Sequence, residues 1–282
     1  MTTFVAMNIA LLAIGKRGYH FAAYNLAASI LHYDPTANIL LITDDGVKYL
    51  RETDVFTQVV RINPQHTMDR GQFSPSIAKM HVDSYAVTYF DRQPYMFLDV
   101  DNVALKSLRP LWEQAHKPFE VGIEAIGSVW AKKETIAQLF GEGNYLAPHT
   151  DYWYSDGSKS TSAIFTKAIK LFPKVKPSDL VIKWGKAVPD ELPLGGALMQ
   201  LAIDPTPAYN RPTFLGNKSV PLTEMKADYY LMSIYGNGKG RTLTRLNYLE
   251  FYDRHMREIM KDRGRSHIYK YNFIMSDKWI NK

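Results

Sequence analysis

The sequence predicts an α/β protein: a mixed, mostly parallel sheet flanked by helices, forming a single domain followed by a basic C-terminal extension. Two observations carry this. Apolar runs short enough for buried strands alternate with segments whose apolar residues recur at helical spacing. One of those runs, Tyr95 to Leu98, leads into Asp99-Val100-Asp101, and open α/β sheets place their ligands at the carboxyl ends of such strands. The composition agrees, since 282 residues with 46% hydrophobic and 22% charged content can bury a sizeable core.

Taken in order, Phe4 to Ala13 is a first strand and Ile14 to Tyr19 a loop. Phe21, Tyr24, Leu26, Ala27, Ile30 and Leu31 repeat as one helical face, which Asp34-Pro35 closes. Asn38 to Thr43 is a second strand, residues 47–53 a short helix, and Thr57 to Ile62 a third strand. Strand, helix, strand in this order is the pattern of a covered parallel sheet. The stretch from His66 to Pro75 is polar and irregular, and Ser76 to Phe90 is helical by spacing. Residues 132–160 are rich in Gly, Asn, Asp, Ser, Tyr and Trp, and read as a long loop: a lid, an acceptor platform or an ordinary insertion. Its tyrosines, 145–154, are where a self-glycosylating protein would carry its sugar.

Several chemistries are disfavoured. There is no cysteine, so disulfides, thiolate zinc sites and cysteine nucleophiles are out. Gly-x-Gly-x-x-Gly and Gly-x-Ser-x-Gly are both missing, which removes support for dinucleotide binding and for serine hydrolysis. No apolar run is long enough to cross a bilayer, and the first residues lack the basic start of a signal peptide. A cytoplasmic protein is expected, with peripheral membrane attachment open through its tail.

The net charge of +6 lies entirely in residues 239–282, which hold 11 Lys and Arg against 5 Asp and Glu. Tyr248, Phe251, Tyr252, Tyr269, Tyr271, Phe273 and Trp279 are interleaved with them. That mixture suits a nucleic acid or an anionic membrane surface as well as a solvated helix packed by its aromatics.

At the end of the 95–98 strand, alternation would send Asp99 and Asp101 to one face. Two adjacent carboxylates repel unless a cation lies between them, and Mn²⁺ or Mg²⁺ commonly bridges such a pair to phosphates. The competing reading is an ordinary turn, for which Asp and Asn are common residues.

Residues 77–111, IAKMHVDSYAVTYFDRQPYMFLDVDNVALKSLRPL, and the opening ALLAIGKRGYHFAAYNLAASIL resemble the glycosyltransferase family 8 proteins, the glycogenin and lipopolysaccharide galactosyltransferase group. The resemblance implies a GT-A fold, a Rossmann-like domain over 1–240, with 241–282 as the extension. It further implies a nucleoside diphosphate sugar as donor, UDP-sugar foremost, a Mn²⁺ or Mg²⁺ ion, and transfer of the sugar with retention. On this basis Asp99 lies near the ribose and metal, Asp101 ligates the metal, and Lys79 approaches the donor sugar. Ile14, Gly15 and Tyr19 hold the nucleotide. Thr161 takes the place of the family's sugar-contacting Asn, and Asp190-Glu191 that of its Asp-Gln pair at a helix start. Gly236 and Lys239 match a segment that holds the leaving diphosphate, with Ser233 where the family has a metal-binding His.

Each residue has a plainer alternative. Lys79 could be a surface lysine, Tyr19 a core aromatic, Asp190 and Glu191 a helix cap favoured by the dipole, and YGNGKG a turn. Under the resemblance, Asp190 contacts the donor sugar, Glu191 lies beneath the anomeric carbon, and Lys239 offsets the developing charge. The acceptor is a saccharide, a lipid-linked saccharide or a modified base in DNA. Rival readings are a nucleotidyltransferase and a non-catalytic module binding sugar nucleotides or nucleic acid.

Overall fold

The structure is a computed structural model that describes residues 6–115, 117–126, 130–182, 187–204, 206–207, 213–214, 229–233 and 242–264. Contacts divide the chain into two compact units, 1–61 with 98–114 and 211–282, and 62–97 with 115–210. The fold class is the one the sequence predicts, a mixed α/β arrangement of mostly parallel strands flanked by helices.

In the first unit, strands β1 (Asn8–Ala13), β2 (Asn38–Thr43) and β3 (Gln58–Arg61) run parallel, with Asn8 opposite Asn38 and Leu40 opposite Gln58. Every residue of β1 is buried, as expected for a strand covered on both faces. The helix that follows, α1 (Arg17–Tyr33), is buried from His20 to Ile30 without a break. Its run of Ala22, Ala23, Ala27 and Ala28 lets backbone approach closely on several sides, which is how a helix buried all round can be packed. Two of its buried polar side chains reach distant partners. Ser29 Oγ accepts from the Ala104 amide at 2.9 Å, and Asn25 Nδ2 donates to Tyr252 Oη at 2.6 Å.

Tyr252 belongs to the last described helix of the chain (Thr242–Asp262). Tyr252, Met256, Ile259 and Met260 are buried, and His255 Nε2 lies 2.9 Å from the Ala104 carbonyl oxygen. Those aromatics and apolar residues of the basic segment thus serve the core of the first unit. Residues 265–282 lie outside the described residues.

In the second unit, β8 (Phe119–Ile126) pairs antiparallel with β9 (Leu146–Ser155), and β10 (Thr206–Pro207) joins β8 in parallel. The Phe97 and Trp153 rings stack at 3.9 Å in its core, a contact worth about 0.5–1.5 kcal/mol beyond the area it buries. Here the expected loop over 132–160 is overturned. It contains a helix, Lys133–Phe140, and the ten-residue strand β9, in which Tyr152, Trp153 and Tyr154 are all buried. With Tyr145 buried too, none of these tyrosines is presented as a self-glycosylation acceptor.

The helix expected over 76–90 is two, Pro75–Met80 and Val82–Tyr89, broken at His81. Ser74 caps the first by accepting from the Ile77 amide, the interaction that helix starts favour. The His81 ring stacks on His66 at 3.9 Å. Burial first, and His66 second, push the His81 imidazole down to about 4.

Candidate active site

Lys79 lies on the helix Pro75–Met80, and its ammonium is 3.1 Å from Asp190 Oδ2, 3.3 Å from Thr150 Oγ1 and 3.4 Å from the Thr150 carbonyl oxygen. It also lies 5.8 Å from the Phe97 ring centre. Thr150 Oγ1 donates to the same Asp190 Oδ2. The side chains of Lys79 and Asp190 are only 14% and 5% exposed, so the pair is held away from water, where removing one partner leaves the other charge uncompensated.

Asp190 precedes the helix Glu191–Gln200. The plainer reading made it a helix cap, yet its side chain makes no capping bond and its backbone is already helical, at φ −66° and ψ −28°. Its carboxylate is spent on Lys79 and Thr150 instead.

Glu191, on the first turn of that helix, behaves differently. Its Oε2 is buried with no hydrogen-bond partner. Burial, and then the negative charge of Asp190, push its carboxyl up to about 8, against the opposing pull of Lys79 and His149. The two neighbouring carboxyls thus stand in different settings, one ion-paired to Lys79 and the other raised by burial and by its neighbour's charge, and such a division lets a site hold both a charge and a proton donor.

Two further residues extend the cluster. His149 Nδ1 and Asp151 Oδ1 are hydrogen-bonded to each other on β9, to either side of Thr150. The sequence reading missed Thr150, His149 and Asp151 by placing them in a loop. Thr161 does not join the group. It sits in the first turn of the helix Lys159–Leu171, where its hydroxyl donates to Asp156 and the Pro118 carbonyl oxygen.

In the first unit, Asp99 and Asp101 are not in a strand. The strand ends at Leu98, and a turn over 99–101 leads to β7 (Asn102–Ala104). Alternation therefore does not set their directions. The turn is tied by the Asn102 amide and its Nδ2, which donate to the Asp99 carbonyl oxygen at 3.3 and 2.9 Å. Both carboxylates are half-buried. Ser233, on the strand Leu231–Ser233, lies opposite Asn102 in the antiparallel register, so the position that the resemblance gives to a third metal ligand is one strand away from the turn. Among the described residues no three His, Asp or Glu side chains are grouped to hold a metal ion. Asp99 and Asp101 each carry the hard oxygen donors that Mn²⁺ or Mg²⁺ takes, and they are the residues here that could hold such an ion.

Ile14 is buried, Tyr19 half-buried and Gly15 exposed. Gly15 has φ +81°, a conformation that glycine adopts without penalty. Its amide donates to Asp44 Oδ2 at 2.6 Å, while Oδ1 accepts from the Gly46 amide and lies 3.0 Å from His20 Nε2. Burial alone would raise the Asp44 carboxyl, but His20 and the two amides hold it below its usual value. Gly236 and Lys239 lie outside the described residues.

This architecture is that of the GT-A glycosyltransferases. The galactosyltransferase LgtC, solved with donor and acceptor sugar analogues, matches with a TM-score of 0.56 and 15% identity over 94% of this chain and 99% of its own. An active-site glutamine-to-glutamate mutant of LgtC gives 0.56 and 16% over the same spans. The bifunctional glycosyltransferase WbbM matches with 0.56 and 13% over 93% of this chain, which spans 52% of the WbbM chain. No protein-family model matches the sequence, and no curated protein does.

Proposed function

We propose that this protein is a metal-dependent glycosyltransferase that moves a sugar from a nucleoside diphosphate sugar to a saccharide hydroxyl with retention, UDP-sugar being the foremost donor. The observation that carries the reading is Asp190. A carboxylate at a helix start that leaves its helix uncapped and is held by a buried lysine and threonine is arranged for something other than helix stability.

In this reading Lys79, Thr150 and Asp190 hold the donor sugar's hydroxyls in a fixed, water-poor setting. Glu191, neutral at pH 7, lies under the anomeric carbon and can donate a hydrogen bond to the sugar. The resemblance has a glutamine at its position, and a neutral glutamic acid presents the same kind of donor. Asp99 and Asp101 would hold Mn²⁺ or Mg²⁺, which neutralises the departing diphosphate when bound, and Lys239 would assist. The acceptor oxygen bonds to the anomeric carbon as that carbon's bond to the diphosphate oxygen breaks. The diphosphate leaves with the electron pair, from the face on which the acceptor oxygen enters, and its oxygen takes up the proton that the acceptor hydroxyl loses.

A saccharide acceptor is supported by a cavity of about 490 Å³ lined by Asp69, Arg70, Gln72, Phe73, Ser74, Pro177 and Ala187. Phe73 is half-exposed there, and the Arg70–Asp69 ion pair at 2.6 Å offers both a donor fork and an acceptor. An aromatic face beside such a pair suits a sugar ring with its hydroxyls. In sequence the cavity neighbours both key groups: Ser74 caps the helix of Lys79, and Ala187 stands three residues before Asp190.

The test is to incubate the protein with a panel of nucleoside diphosphate sugars, with and without Mn²⁺, and measure thermal stabilisation and nucleoside diphosphate release. Metal-dependent stabilisation by one nucleotide, with release lost in Asp190→Asn, is the expected result. A nucleotidyltransferase would release no nucleoside diphosphate from these sugars but would release pyrophosphate when given a nucleoside triphosphate and a sugar phosphate, and binding without turnover would indicate a non-catalytic module.

A further inference from the structure

The helix that carries the acid pair is a poor helix by its own sequence. Glu191–Gln200 reads ELPLGGALMQ, and each of its two glycines costs about 1 kcal/mol relative to alanine in a helix interior. The surroundings explain them. A Cβ at Gly195 would lie 2.5 Å from the Tyr145 ring, and one at Gly196 would lie 2.7 Å from the Phe140 ring. The two rings stack on each other at 6.3 Å and 10°.

Both ends of the helix are bound to the same segment. Tyr145 Oη donates to the carbonyl oxygens of Glu191 and Leu192, at 3.3 and 3.2 Å. Gln200 Nε2 donates to the Phe140 carbonyl oxygen at 2.6 Å. Between them Gly143 lies so close to Met199 that a Cβ would meet its Cγ at 2.8 Å. Residues 140–145 therefore grip the helix at its first turn, middle and last turn. Gly141, at φ +96°, turns the chain out of the preceding helix into this grip.

We propose that Tyr145 is a positioning residue for the Asp190–Glu191 pair, acting through its hydroxyl on the first-turn carbonyls. This rests on the reading of those two carboxyls as sugar-facing groups. The physical reason lies in what the first turn carries. Among the described residues Glu191 Oε2 is buried without a hydrogen-bond partner, so the placement of the first-turn backbone sets where it lies. The charged groups acting on it are Asp190, Lys79 and His149, whereas the Tyr145 hydroxyl acts on the backbone of the turn. Tyr145 also lines a cavity of about 460 Å³ with Ile136, Ala137 and Asn144, which gives the ring room to yield once the hydroxyl bonds are lost. Displacements of about 1 Å at such a turn are enough to cost up to a hundredfold in rate.

The experiment uses the full chain with Tyr145→Phe, which keeps the ring and removes the two carbonyl bonds. The expected result is a roughly tenfold fall in kcat with the donor KM unchanged within about twofold. In carbon-13 NMR, the Glu191 titration should move from about 8 toward the ordinary carboxyl range as water reaches Oε2. Gly195→Ala, which pushes the ring from the opposite side, should move that titration in the same direction. A lowered Tm with unchanged kcat and an unmoved Glu191 titration would overturn the proposal. If the wild-type protein turns over no nucleotide sugar yet the titration moves, Tyr145 still positions the pair and it is the transferase reading that falls.

Discussion

The two acidic sites of this molecule are built in opposite ways. In the second unit, Asp190 is buried, ion-paired to Lys79 at 3.1 Å and bonded to Thr150, with Glu191 kept neutral beside it. In the first, Asp99 and Asp101 stand half-buried in a turn tied chiefly through its backbone. The first arrangement is complete before any ligand arrives, and its electrostatics cannot be altered without disturbing the fold. The second is half-buried, and under the proposed function a cation and phosphates would complete it. Under the proposed function, preorganisation would belong to the groups that hold the sugar and adaptability to those that hold the phosphates.

Breaking the sealed site should give the largest effect. Lys79→Ala strands the Asp190 charge, and a loss of about 3–5 kcal/mol in unfolding free energy is expected by denaturant titration, together with loss of turnover. Asp190→Asn should abolish turnover with a smaller loss of stability, since the amide can still accept from Lys79 and Thr150. The open site should respond in the reverse sense. Asp101→Ala should change stability by no more than about 0.5 kcal/mol while removing Mn²⁺-dependent thermal stabilisation by nucleotide. A large fall in stability in that variant would erase the contrast between the two sites.

Glu191 sharpens the comparison through pH. Its folded value, about 8, is above the value in an unfolded chain, so the folded state binds the extra proton between the two, and stability declines as pH rises through that window. Glu191→Gln should therefore raise Tm at pH 7–8, show no gain below the ordinary carboxyl range, and remove the alkaline limb of the activity profile near pH 8. The smallest effect concerns His81, pushed down to about 4 by burial and His66. The unfolded chain binds the proton first as pH falls from 6.5, so that contribution to stability is lost on acidification. His81→Gln should flatten the acid-side slope of Tm between pH 6.5 and 4.

The order of β1, α1, β2 and β3 was legible because each is a local apolar pattern, and β1, α1 and β2 are buried as that pattern requires, while β3 stays partly exposed. Asp99 and Asp101 were legible as carboxylates at the end of a strand pattern, whereas Lys79, Asp190 and Glu191 were singled out only through the family resemblance. Strand β9 was not. Its polar residues resemble a loop, but the partners that satisfy Thr150 are Lys79 and Asp190, far away in sequence, so no local window shows that they can be buried. The same reason hid the break at His81, which follows a tertiary stack on His66. Thr161 illustrates the converse: a residue chosen by motif likeness whose hydroxyl is consumed by its own helix start.

The bond from Asn25 to Tyr252 joins residues 227 positions apart, and the core it belongs to draws on segments from the beginning, middle and end of the chain. During synthesis the ribosome must therefore deliver the helix at 242–262 before the first unit can close around α1. Until then, a helix meant to be covered on every side stands exposed and needs protection from association with other nascent chains. An arrest of translation before Tyr252 should leave that unit open and susceptible to protease, whatever the state of the segments already made.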